Sequence, residues 1–192
     1  MNSMSLDHQD ALQELMNVAM GRAARELAIL LGLPVTLSIP SVRRATDAEL
    51  LAIQQAHSDS YFVRQPFDGD AVGEVISVLS RSGCIDVARL LRGEDQAPDD
   101  LSEALLASAG ILSGASLQGF LQSLSIDTTL GSPLLVDPST EPAWLTHDWG
   151  LALLIEIAFE VQNLAFTSKT LICMADEGLE RVLHQVDELL QA

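Results

Sequence analysis

The chain has 192 residues, 48% of them apolar but only 4% aromatic, which suits one medium domain, or two similar halves, with a core of Leu, Ile, Val and Ala. Ten Lys and Arg stand against 27 Asp and Glu, a formal net charge of -17. That balance excludes a basic nucleic-acid groove, disfavours an anionic membrane surface and favours protein partners that present Lys or Arg.

The N-terminus carries no basic region followed by an apolar one, so no secretory signal is read there. No uninterrupted apolar run approaches a membrane span, and a soluble cytoplasmic protein is expected. From Leu6 to Leu31 the residues Leu12, Leu15, Met16, Ala19, Ala23, Leu27 and Leu30 recur at helical spacing and predict a buried stripe. Asp7 and Asp10 suit the positive end of that helix, and Gly32 and Pro34 stop it. Val35–Ile39 is β-branched and alternating, a strand ended by Pro40. Ala45–Gln55 is either a short helix or a loop. Tyr61–Gln65 and Ala71–Ser80 read as strands of a hairpin about the turn Asp68–Asp70. Ser82–Gly83 reads as a turn, Ile85–Leu91 as a short helix, and Gly93–Asp100 as an acidic linker or loop.

A second long helix is predicted over Leu101–Leu124, then short apolar segments at Ile126–Thr129 and Leu130–Val136 and a Pro-containing loop to Thr146. In that loop Trp144 and Trp149 flank His147 and Asp148, either anchoring it over the core or joining a protein interface. Leu151–Val161 and Leu164–Met174 read as strands. Asp176–Leu190 reads as an amphipathic helix with Leu179, Val182, Leu183, Val186 and Leu190 on its packed side.

The second half restarts the pattern of the first. An offset of 93 positions carries Asp10 onto Glu103, Leu12 onto Leu105, Gly21 onto Gly114 and Pro40 onto Pro133. This predicts an α+β domain with a pseudo-two-fold internal repeat, halves 6–92 and 99–190, and a mostly antiparallel sheet packed against two long helices.

On the first helix Asp10, Glu14, Asn17 and Gly21 line up opposite the buried stripe at spacings of four, three and four, and Arg25 continues the face. Taken alone, this is a solvated face with an incidental glycine. Chemically it offers more. An amide can donate and accept, so Asn17 can hold a water in line with an electrophile such as a phosphoryl group. Glu14 can pair with a cation of the partner. Gly21 would let a partner's backbone approach.

The segment Asp10–Val42, DALQELMNVAMGRAARELAILLGLPVTLSIPSV, resembles the first signature helix and following strand of the CheC/CheX/FliY family, phosphatases of the phosphorylated chemotaxis regulator CheY. The family motif is Asp or Ser, three residues, Glu, two residues, Asn; it stands here as Asp10, Glu14 and Asn17. Where relatives often carry a Gly-rich stretch, only Gly21 is present. The repeat, length and element order extend the likeness over nearly the whole chain. It implies that Asn17 orients the attacking water, that Glu14 docks and aligns the partner, including its Lys, and that Asp10 and Gly21 support them. It further implies that this chain binds no cofactor and that Mg²⁺ sits in the partner, a phosphorylated CheY-type response regulator.

The second helix departs from the two-site form of the family. Glu14 falls on Ala107 and Asn17 on Gly110, which can neither pair with Lys nor orient water, so one live site and one degenerate site are expected. The competing reading is a non-catalytic adaptor on the same fold, binding a response regulator, a CheD-type deamidase or a flagellar-switch component, with homodimerisation open. Ordinary small-molecule enzymology lacks a convergent cluster. His8, His57, His147 and His184 show no metal-ligand spacing. Cys84 and Cys173 are two buried thiols or, less favoured, one bridge. Gly110, Gly114 and Gly119 are read as sites of close helix packing.

Overall fold

The computed structural model describes residues 4–57, 59–93, 101–136 and 152–191. The run 94–100 and the segment with Trp144, His147 and Trp149 lie outside them. Helix α1 covers Leu6–Leu31. Ser5 accepts from the His8 amide while the His8 ring accepts from the Ser5 amide, closing a capping box, and Gly32 ends the helix at φ 65°. Strands β1 (Val35–Leu37) and β2 (Ser41–Ala45) follow, then α2 (Asp47–Ala56). Thr46 and Glu49 form a second capping box, and Arg43 reaches Glu49 at 2.7 Å. The hydrogen bonds from Thr46, more than the nearby Arg43, hold the Glu49 carboxyl below its ordinary pKa.

Next come β3 (Ser60–Gly69), β4 (Gly73–Ser80) and α3 (Arg81–Arg92). The second half contributes α4 (Ser102–Ser123), β5 (Thr128–Leu130), β6 (Leu134–Val136), β7 (Ala152–Val161), β8 (Thr167–Met174) and α5 (Asp176–Leu190). All pairings are antiparallel, in the order β1-β7-β8-β4-β3-β5, with β2 also on β7 and β6 also on β3. The expected α+β architecture with its repeated element order is present. The halves exchange strands: β1 and β2 of the first complete β7 of the second, while β5 and β6 of the second complete β3 of the first. At the middle β4 meets β8, with Ser77 opposite Thr170.

Strand alternation buries both faces of the sheet. Val75 and Leu79 of β4 join the main core with Leu12, Met16 and Leu27 of α1 and Leu105, Leu112 and Phe120 of α4. Ile76 and Val78 face the other way, into a smaller cluster with Leu50 of α2, Leu154 and Leu171. Each fully buried side chain of this size contributes about 1.5–3 kcal/mol. Cys84 lies in the first cluster and Cys173 in the second; both are buried free thiols, so the bridge is not formed. Burial pushes the Cys84 thiol up to about 12, against the pull of Arg81.

Several boundaries differ from expectation. Strand β2 was not expected, because Arg43 and Arg44 break its alternation; its burial comes from docking on β7. The Asp68–Asp70 turn sits later, since Asp68 and Gly69 pair with Thr129 and Thr128. Ser82 and Gly83 belong to the first turn of α3, not to a turn before it. Gly83 is there because a Cβ would stand 2.2 Å from the Phe166 backbone. Leu30 and Leu190 are 36% and 52% exposed rather than packed. Helix α4 is long and apolar enough by length and composition to cross a membrane, although Ser, Gly and Gln interrupt its apolar run, and Leu105, Leu112, Leu117 and Phe120 on it are core residues.

Candidate functional site

Helix α1 is held rigidly from behind. Leu12, Met16, Ala19, Met20, Ala23 and Leu27 are buried along its inner face. Helix α4 crosses against it so closely that a Cβ on Gly119 would lie 3.2 Å from the Ala19 Cβ. The N-terminus is tied to α5 by His8, whose Nε2 lies 2.7 Å from Asp187 Oδ1. Side chains on the outer face therefore project from a fixed base.

Asp10, Glu14, Asn17, Gly21 and Arg25 are all exposed on that outer face. On an ideal helix they fall within about 80° of arc, stacked turn upon turn. Among the described residues the side chains of Asp10, Glu14 and Asn17 have no hydrogen-bond or ion-pair partner. The helix thus presents an amide and a carboxylate one turn apart, both free to bind an external group. Beside them Val18 is 54% exposed, an apolar contact that a pattern of charged and polar residues did not single out. Nothing lies within 4 Å of a Cβ built on Gly21, so no packing inside the chain requires a glycine there.

Ala107 is exposed on α4 and Gly110 is half-buried, again with nothing within 4 Å of its Cβ position. Close packing therefore explains Gly119 but not Gly110. Gly114 has only ordinary contact, with Leu130 at 3.7 Å. At these two positions α4 carries neither a carboxylate nor an amide.

A cleft of about 450 Å³ opens elsewhere, between β3, β4 and β5, lined by Pro66, Asp68, Val72, Glu74, Thr129 and Gly131 among others. None of its lining residues is on α1 or α4. Arg64 grips Glu74 through both carboxylate oxygens, its Nε at 2.8 Å, which occupies that carboxylate. Among the described residues no group of three or more His, Cys, Asp or Glu is placed to hold a metal.

No family model and no curated protein matches the sequence. Solved structures do match in fold. FliY of Thermotoga maritima superimposes with a TM-score of 0.71 at 18% identity, over 97% of this chain and 99% of that one. CheX of Borrelia burgdorferi, solved with CheY, BeF3 and Mg, gives 0.57 at 14% identity over 85% and 97%. The FliM middle domain of H. pylori gives 0.65 at 13% identity over 94% and 99%. The chain thus has the fold of the CheC/CheX/FliY family, which the FliM middle domains share.

Proposed function

We propose that the chain hydrolyses the aspartyl phosphate of a CheY-type receiver domain docked on α1. The observation that carries this reading is the free, outward-facing pair Glu14 and Asn17 on a helix whose other side is locked into the core. The partner supplies the phosphoaspartate and its Mg²⁺. Asn17 accepts a hydrogen bond from one water and holds its oxygen in line with the phosphorus. As that oxygen bonds to phosphorus, the bond from phosphorus to the partner's aspartate oxygen breaks, freeing the carboxylate and leaving the water's protons with inorganic phosphate. Glu14 pairs with a Lys of the partner and sets the distance. Neither residue need take up a proton, so the acceleration comes from orientation and from fixed dipoles at the phosphoryl group. A CheX of the same fold, solved in a complex with CheY, supports the choice of partner.

The test is the decay of a Mg²⁺-loaded, phosphorylated CheY-type receiver domain. Wild-type protein speeds the decay, and Asn17→Ala returns it to the receiver's spontaneous rate while circular dichroism stays native. Glu14→Gln weakens the concentration dependence. Unchanged decay with wild-type protein sinks the proposal.

A second reading has its own support. The FliM middle domain superimposes with a higher TM-score than the CheX structure, and α4 lacks both reactive side chains. On that reading the chain is an adaptor that binds a response regulator, a CheD-type deamidase or a flagellar-switch component. Tight receiver binding without faster dephosphorylation would select it.

A further inference from the structure

Charge on α1 is not spread evenly. Asp10 and Glu14 lie toward its N-terminus and Arg25 toward its C-terminus, with Asn17, Val18 and Gly21 between them, while Arg22 and Glu26 fall together to one side of that face. Cations are scarce in this chain, and several elsewhere in the described structure rest against carboxylates, as Arg43 does on Glu49, Lys169 on Glu156 and Arg181 on Asp70. Arg22 and Arg25 are exposed and have no such partner among the described residues. For Arg25 the helix offers none, because Gly21, Arg22, Ala28 and Ile29 occupy the positions three and four residues away. Arg22 beside it is a like charge, and both stand before the last turn, where the helix dipole would reward them. Nothing inside the fold accounts for the bare guanidinium of Arg25 at this place, whereas Arg22 reaches toward α4, its Nη1 3.9 Å from the Cβ position of Gly119.

We propose that Arg25, supported by Arg22, receives acidic side chains of the docked partner and fixes which way round that partner lies on α1. This rests on the reading of Glu14 and Asn17 as the docking face for a phosphorylated receiver domain. Asn17 and Arg25 are eight residues apart, about 12 Å along the axis. A phosphoryl group held at Asn17 is out of contact with Arg25, so the anion met by Arg25 is a separate acidic feature of the partner. In the productive orientation the partner's cations face Asp10 and Glu14 while its carboxylates face Arg25. Turned end for end, like charges meet at both ends, which opposes docking and slows association. Gly21 leaves the span between the two charged ends free of a side chain.

The experiment measures binding and dephosphorylation separately. Binding uses a CheY-type receiver domain loaded with beryllium fluoride and Mg²⁺, titrated into wild-type protein, Arg25→Glu and Arg25→Lys at two salt concentrations. Arg25→Glu is expected to weaken binding about tenfold, mainly through slower association. Arg25→Lys keeps most of the affinity, and raising the salt narrows the difference between wild type and Arg25→Glu. Equal affinity of wild type and Arg25→Glu would overturn the inference and leave the α1 docking face intact. Binding that depends on Arg25, with no faster decay of the phosphorylated receiver, would retain the inference and remove the hydrolase reading. No binding by wild type would overturn both.

Discussion

At the scale of single residues, α1 separates what the fold needs from what the surface offers. Gly21 illustrates it. A glycine in mid-helix costs about 1 kcal/mol against alanine, and no neighbour in the chain requires it. Gly21→Ala is therefore expected to raise the urea midpoint by an amount equivalent to about 1 kcal/mol. If a partner's backbone passes over this position, the same change slows receiver dephosphorylation. A more stable protein of unchanged activity would make Gly21 incidental. The amphipathic period alone put Asp10, Glu14, Asn17, Gly21 and Arg25 on one exposed face, because a 3.6-residue repeat fixes faces without knowledge of the partner. It could not reveal which cations are paired, since several ion pairs join residues brought together by the fold, as Arg181 is to Asp70 and Lys169 to Glu156.

At the scale of elements, the crossing of α1 and α4 is the joint that keeps the outer face of α1 rigid. Its tight point is Gly119 against Ala19. Gly119→Leu would drive a branched side chain into the Ala19 backbone and push the helices apart. The expected loss is about 1–3 kcal/mol of stability, read as a lower urea midpoint. A midpoint unchanged within error would mean that the helices have room to move. Elements with local signals were legible in the sequence: α1 shows its apolar period and the Gly32 and Pro34 stop, and α5 its amphipathic pattern. Elements made by remote contacts were not. β2 gains its burial from β7, more than a hundred residues away, and the start of α3 hid behind a glycine demanded by Phe166.

At the scale of the molecule, α4 carries Ala107 and Gly110 where the 93-residue offset places Glu14 and Asn17. Ala107 is exposed and Gly110 has open space where a Cβ would go, so side chains can be restored without disturbing the core. The double variant Ala107→Glu with Gly110→Asn is expected to fold normally and to raise the dephosphorylation rate up to about twofold, if the two sites act independently. It should also rescue Asn17→Ala in part. Failure to rescue would show that the α4 face lacks something beyond these two side chains.

The strand exchange has a consequence for biosynthesis. β1 and β2 are made well before their partner β7, which begins at residue 152, more than a hundred residues further along the chain. β3 likewise waits for β5 and β6. The first half therefore emerges with strand edges it cannot cover by itself, and its sheet closes only after β7 and β8 have been made. Such pairings across long stretches of chain fold slowly and leave edges open to other nascent chains. The interlocking that binds the halves in the finished protein makes the first half dependent on strands made long after it.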